Sequence, residues 1–69
     1  MKGIITRVFP DKGYAFLRDT DGTSRFIHAS WTNGMFDTLK PGVQVDFVPT
    51  ENERGKRAED IVVIIGGVQ

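Results

Sequence analysis

Hydrophobic and polar residues alternate along most of this chain with a period of two, which places successive side chains on opposite faces of a β-strand. The alternating segments are rich in β-branched and aromatic residues, and turn-forming residues such as glycine, proline and aspartate separate them. No amphipathic helix of useful length interrupts the pattern. It therefore predicts five strands, over residues 2–9, 13–18, 25–28, 43–48 and 56–67.

Short polar turns connect the first three strands. Residues 10–13 combine a proline, an aspartate and a glycine, and Asp21-Gly22 is a typical hairpin signal. The first three strands are therefore expected to form a meander. Residues 51–55 are predicted to form a charged, exposed hairpin loop before the last strand.

The connection between the third and fourth strands is longer and breaks the alternation. Ser30 is predicted to cap a short helical turn that contains Trp31 and ends at Asn33-Gly34. Five short strands with one longer connection favour a small closed antiparallel barrel, because an open sheet would leave one side of its core wet. At this length we expect one domain, covering residues 1–69.

The second and third strands are apolar on both faces. Leu17 and Ile27 lie on one face, and the other face carries four rings: Tyr14, Phe16, Phe26 and His28. If Leu17 and Ile27 point into the core, the rings form an exposed patch, which is typical of a binding surface. The alternative places the rings in the core, with Leu17 and Ile27 facing a partner.

The composition excludes several classes of function. The chain has no cysteine, so neither a disulfide nor a thiolate metal site can form. His28 is the only histidine and has no carboxylate pair beside it, and Asp46, Glu59 and Asp60 fit polar strand faces better than a catalytic pair. We therefore expect no enzymatic activity, no metal and no cofactor. No signal peptide or membrane-spanning segment is found, so a cytoplasmic location is expected.

The charge pattern indicates a class of ligand. Nine basic and nine acidic residues cancel over the whole chain, yet the half that carries the rings holds a small basic excess. Lys12, Arg18 and Arg25 lie near the rings in the sequence. Rings beside cations favour a single-stranded nucleic acid, whose unpaired bases stack on aromatic side chains while cations neutralise its phosphates.

Two motifs, in order, resemble those of cold-shock domains. Lys12-Gly13-Tyr14-Ala15-Phe16-Leu17 resembles the first RNP-type motif of that family, and Arg25-Phe26-Ile27-His28-Ala29-Ser30 resembles the second. The segment Gly34-Met35-Phe36-Asp37-Thr38-Leu39 is similar to a loop of the family. The resemblance covers about residues 3–64. It implies an OB-fold barrel that binds single-stranded RNA or DNA, and a role as an RNA chaperone or transcription antiterminator.

The resemblance also implies which side chains contact the ligand. By position, base stacking falls to Tyr14, Phe16, Phe26, His28 and Phe36, and backbone or base-edge contact falls to Lys12. The chain departs from the family where a Trp-Phe pair is usual and Arg7-Val8-Phe9 stands instead; either Arg7-Val8 or Val8-Phe9 matches the pair. A second aromatic position is occupied by Ala29. Arg7, Phe9 or Trp31 are candidates to compensate, and Arg7 is favoured because arginine both stacks and contacts phosphate.

Several candidate residues have alternative interpretations. Phe36 either stacks on a base or covers the barrel as a lid, and Trp31 either caps the barrel end or contacts the ligand. Arg25 stands where the family keeps an aliphatic residue, so either its long stem lies at the barrel rim or the strand is displaced. Arg25 is also predicted to neutralise phosphate together with Arg7 and Lys12. The basic residues around the last hairpin fit a solvated loop better than a phosphate clamp: Arg54, Lys56 and Arg57.

A second class of function uses the same rings. The aromatic patch could dock a polypeptide, for example a component of the transcription machinery, and the zero net charge favours this alternative. In either case the chain is expected to act as a monomer.

Overall fold

Strands and tight turns account for almost all of the computed structural model, which describes residues 1–64. The strands are β1 (Lys2–Phe9), β2 (Tyr14–Asp19), β3 (Ser24–His28), β4 (Gln44–Asn52) and β5 (Gly55–Val63). Two 3₁₀ turns, Ala29–Trp31 and Phe36–Thr38, lie in the long connection between β3 and β4. The described part of the chain contains no helix long and apolar enough to cross a membrane.

All five strands were predicted; most of their ends differ by at most one residue, and two ends differ by more. β4 continues past Pro49 to Asn52, so the expected loop over residues 51–55 shortens to a turn at Glu53 and Arg54. Pro49 is tolerated because it lies on the exposed side of the strand. β5 ends at Val63, and the predicted continuation over residues 65–67 lies outside the described residues.

The strands close into a barrel in the order β1-β2-β3-β5-β4. Four neighbouring pairs are antiparallel, as predicted, but β3 and β5 run parallel, with Phe26 opposite Arg57. The expected closed five-stranded barrel is therefore confirmed, and only this pair departs from the antiparallel pattern. The reason is geometric: directions that alternate around an odd number of strands cannot close without one parallel pair.

The interior of the barrel is apolar and tightly closed. Leu17 and Ile27 have no exposed surface, so the alternative that placed the rings in the core is excluded. The core consists of Ile5, Ala15, Leu17, Ile27, Leu39, Val45, Phe47, Ala58 and Ile61. Burial of each large member contributes about 1.5–3 kcal/mol relative to an exposed position, which fixes the orientation of β2 and β3.

A β-bulge in the middle of β1 reverses the direction of its side chains. Ile5 is opposite Leu17 and Arg7 is opposite Phe16, so Thr6 is an extra residue without a partner of its own. Before the bulge Ile5 points into the core; after it, Arg7 and Phe9 point outward on the side of the rings. An unbroken strand would have aimed both residues at the barrel interior.

Candidate nucleic-acid interface

Six rings lie together on one side of the barrel, outside its core. They come from β1, β2, β3 and the first 3₁₀ turn, and we call them the ring surface: Phe9, Tyr14, Phe16, Phe26, His28 and Trp31. Neighbouring ring centroids are 5.0 to 6.1 Å apart. All but His28, which is exposed, are half-buried. The rings therefore form a continuous apolar surface that remains open to solvent.

The rings support one another through tilted and edge-to-face contacts. Phe16 meets Phe9 at 89° and Phe26 at 67°, and Phe26 meets Trp31 at 85°. Such pairs contribute about 0.5–1.5 kcal/mol beyond area burial. This bracing fixes the ring positions before any ligand arrives, which reduces the entropy lost on binding.

Strand register explains which residues reach this surface. Directly opposite residues of neighbouring strands point to the same side. Phe9 is opposite Tyr14, which in turn is opposite His28, and Phe16 is opposite Phe26. Arg7, opposite Phe16, therefore lies at the edge of the ring surface and is exposed.

Lys12 lies in the turn between β1 and β2. The backbone N–H groups of Lys12 and Gly13 both donate to the Phe9 carbonyl, at 3.0 and 2.9 Å, and Gly13 has a φ of 76°. This left-handed conformation favours glycine. The tight turn keeps the exposed Lys12 next to the end of the ring surface.

His28, rather than Ser30, caps the 3₁₀ turn that follows β3. The Ser30 N–H donates to His28 Nδ1 at 3.1 Å, and the Ser30 hydroxyl lies 2.8 Å from the same atom. The prediction that Ser30 is the cap is therefore wrong, because the side chain of His28 accepts the backbone N–H at the start of the turn. With Nδ1 acting as an acceptor, the neutral imidazole carries its proton on Nε2. The ring thus keeps one donor for a ligand.

Trp31 connects the ring surface to β5. Its indole meets Phe26 and His28, and the guanidinium carbon of Arg57 lies over it, 4.2 Å from the ring centroid. The Asn33 side chain donates to Asp60 Oδ1 at 3.1 Å and to the Ile61 carbonyl at 3.0 Å, which ties this segment to β5. Trp31 therefore packs on the barrel, as one of its two interpretations predicted, and its ring is half-buried on the open surface; contact with a ligand stays a prediction.

A basic groove lies beside the ring surface, and its basic residues were predicted to form a solvated loop. It has a volume of about 550 Å³, and its lining consists of Phe16, Phe26, Asn52, Arg54, Gly55, Lys56 and Arg57. Arg57 is half-buried in β5, not part of a loop. One local signal was available, since buried Ala58 next to Arg57 indicates that Arg57 points outward. The proximity of Arg57 to Phe26 depends on the parallel pair and has no local signal.

Arg25 does not join the ring surface. Its Nε donates to Asp19 Oδ2 at 2.8 Å, and its Nη1 donates to the Thr50 and Arg57 carbonyls at 3.2 and 3.1 Å. Side-chain exposure is 12% for Arg25 and 0% for Asp19. The prediction that Arg25 neutralises phosphate is therefore corrected: its guanidinium closes the barrel end. Leu17, opposite Arg25, points to the same side of the sheet, which is why Arg25 faces inward.

Phe36 lies apart from the ring surface. It packs against the core and lines a separate groove with Val8, Pro10 and Leu39. Within residues 1–64 its ring pairs with no other aromatic ring. The structure thus favours the interpretation of Phe36 as a lid over the barrel.

Metal chemistry has no visible basis in the described residues. Across positions 1–64, no three histidine or carboxylate side chains come together in a group that could hold an ion. The arrangement offers flat apolar rings with cations beside them.

The fold and this surface together define a small closed β-barrel with an open aromatic and basic face. The family model described as the "'Cold-shock' DNA-binding domain" matches residues 1–64, and the chain therefore belongs to that family. Cold shock protein CapB of Pseudomonas syringae pv. tomato and that of Pseudomonas fragi are each 38% identical over 56 residues, covering 78% of this chain and 80% of the relative. Cold shock protein 2 of Lactiplantibacillus plantarum is 38% identical over 53 residues, covering 74% and 79%. The family predicted from the two motifs is confirmed.

Proposed function

We propose that this chain binds single-stranded RNA or DNA by stacking unpaired bases on the ring surface. One observation carries the proposal: Leu17 and Ile27 are fully buried, so the other face of β2 and β3 presents its rings to solvent. These rings lie outside a core that is already complete, so they add nothing to the apolar surface buried there. A surface of this kind is typical of a binding site.

The geometry suits unpaired bases better than a duplex. In a duplex the base faces are stacked on one another and unavailable, whereas an unpaired base offers both faces to an aromatic ring. Each base stacked on a protein ring contributes about 1–3 kcal/mol. The description of the matching family as a DNA-binding domain agrees with a nucleic-acid ligand.

Charge plays a secondary role in this proposal. The chain has a formal net charge of +0, so the binding energy must come mainly from stacking. Arg7 and Lys12, both exposed beside the rings, meet phosphates, and Arg7 can also stack on a base. Each phosphate neutralised on a single strand contributes about −0.7 to the slope of log affinity against log salt.

The cellular consequence follows from the physical one. A protein that holds bases apart opposes duplex formation, which is the action of an RNA chaperone or of a transcription antiterminator. The proposal includes a monomer that acts in the cytoplasm without enzymatic activity. This step depends on analogy with the family.

The test measures binding of a labelled pyrimidine-rich oligonucleotide by fluorescence anisotropy. Phe16→Ala and Phe26→Ala are each expected to weaken binding tenfold or more, which is the loss of about one stacked base. Val62→Ala is the matched control, because Val62 is also an exposed apolar residue of a strand but lies outside the ring surface. Thermal unfolding of each variant establishes that it is folded. Unchanged affinity in both phenylalanine variants would remove the stacking proposal.

Salt dependence distinguishes this function from docking of a polypeptide. Nucleic-acid binding is expected to weaken linearly with salt on a log–log scale, and Arg7→Gln or Lys12→Gln is expected to reduce the slope by about 0.7. An apolar surface that docks a polypeptide responds little to salt. No oligonucleotide binding even at low salt would leave the polypeptide as the ligand.

A further inference from the structure

Trp31 and Arg57 form a cation–π pair at one end of the ring surface. The guanidinium carbon lies 4.2 Å from the indole centroid. A base inserted between them would need two gaps of about 3.5 Å each, so none fits while the pair is intact. A ligand therefore cannot reach the covered face of the indole. It would contact the outer side of the guanidinium instead.

The backbone holds both members of the pair in position. Arg57 is opposite Phe26 in the parallel pair of β3 and β5, so its side chain lies on the same side as the Phe26 ring. Trp31 is held by the contact of its indole with Phe26 and by the Asn33 hydrogen bonds to β5. The pair is thus an extension of the ring surface across the junction of two strands.

The charge of Arg57 is partly balanced at one edge. Its Nη2 lies 4.0 Å from Glu59 Oε2, and that carboxylate oxygen also accepts a hydrogen bond from the Thr50 hydroxyl at 3.1 Å. A carboxylate beside the guanidinium weakens its attraction for phosphate. It does not cover the flat face, and the Arg57 side chain is 30% exposed. Arg57 is therefore better placed to stack on a base than to neutralise a phosphate.

We propose that Arg57 is a platform on which one unpaired nucleobase stacks, and that Trp31 is the positioning residue that holds this platform in place. Guanidinium planes stack on nucleic-acid bases much as aromatic rings do. This inference rests on the proposed function, since it adds a subsite to the same surface.

The test depends on the difference between arginine and lysine. Lysine keeps the positive charge but has no flat face, so Arg57→Lys is expected to weaken oligonucleotide binding about fivefold to tenfold with the salt slope unchanged. Arg18→Lys is the matched control: Arg18 is exposed, lies outside the basic groove and lies over no ring within the described residues. It is expected to leave the affinity unchanged.

Two further measurements test whether Trp31 acts through Arg57. Trp31 is the only tryptophan, so its fluorescence is expected to change when the oligonucleotide binds the wild-type chain, and to change less in Arg57→Lys. Trp31→Leu is expected to weaken binding to a similar extent. Combining the two substitutions is then expected to add little, because both remove the same platform.

The outcomes separate this inference from the function on which it rests. Equal affinity of Arg57→Lys and the wild-type chain would make Arg57 a simple phosphate contact and overturn the platform. Additive losses in the double variant, or an oligonucleotide that binds without altering Trp31 fluorescence, would also overturn it. A wild-type chain that binds no oligonucleotide would instead overturn the proposed function. Circular dichroism and thermal unfolding confirm that each variant compared is folded.

Discussion

Arg25 Nε donates a 2.8 Å hydrogen bond to Oδ2 of Asp19, a carboxylate with no exposed surface at the end of the barrel. Asp19 Oδ1 accepts the backbone N–H groups of Thr23 and Asp21, each at 2.9 Å. The Arg25 hydrogen bond, followed by that of Thr23, lowers the pKa of Asp19 below its usual value, although burial acts in the opposite direction. The pair therefore ties the stability of the barrel to pH.

The sign of this dependence follows from the direction of the shift. Because the pKa of Asp19 is lower in the folded chain than in the unfolded one, its contribution to stability is present above the unfolded pKa of about 3.9. It is lost as the pH falls through the lowered value. Asp19→Asn is expected to reduce the melting temperature by several degrees at neutral pH and by less in acid. A melting curve equally displaced at pH 7 and at low pH would show that Asp19 is not the group responsible.

The second prediction concerns Gly3, where β1 and β2 approach most closely. A methyl group at Gly3 would lie 2.9 Å from the Arg18 carbonyl oxygen, 3.0 Å from Leu17 Cδ1 and 3.1 Å from Phe47 Cε1. The backbone oxygen cannot move aside cheaply, so Gly3→Ala is expected to lower the free energy of unfolding by about 1–3 kcal/mol. Urea unfolding measures the loss.

The control for Gly3 is its neighbour on the same strand. Lys2 is exposed, and Lys2→Ala is expected to change the free energy of unfolding by about 0.5 kcal/mol or less. If both substitutions lower the free energy of unfolding equally, the close contacts at Gly3 are not the cause of the loss.

The third prediction concerns the bridge between Asn33 and Asp60. Both residues have positive φ, 54° and 51°, and the Asn33 amide donates to Asp60 Oδ1 and to the Ile61 carbonyl. Asn33→Asp replaces both donated hydrogen bonds with oxygen–oxygen repulsion and is expected to cost about 1–2 kcal/mol of stability by thermal unfolding.

A double substitution tests whether that loss comes from repulsion. Adding Asp60→Asn supplies a donor opposite the new carboxylate, so the double variant is expected to recover part of the stability. A further loss in the double variant would contradict the assignment, because the bridge would then depend on the charge of Asp60 and not on the donor at Asn33.

Much of the fold could be predicted from local sequence, because the signals for strands are local. Alternation identified all five strands, but it left open which face of β2 and β3 points inward, and the burial of Leu17 and Ile27 answers that question. The turn at Gly13 was predicted from composition and has the positive φ that its glycine favours. These elements depend on residues adjacent in the chain.

What could not be predicted depends on contacts between distant residues. The bulge at Thr6, which turns Arg7 and Phe9 outward, is set by how β1 pairs with β2. The inward position of Arg25 depends on Asp19 and on carbonyls of β4 and β5. The basic groove forms only because the barrel closes between β3 and β5. The errors over Arg25 and the basic groove therefore concern the register or closure of the barrel.

The junction of β3 and β5 has a consequence for the ligand itself. Phe26 and Arg57 stand on its two sides, and they are far apart in sequence. A nucleic-acid strand that rests on both would hold the two edges of the barrel together, so that opening the barrel would first require the ligand to leave. Binding of nucleic acid and opening of the barrel would then be thermodynamically coupled, and the bound strand would serve as an additional structural element of the protein.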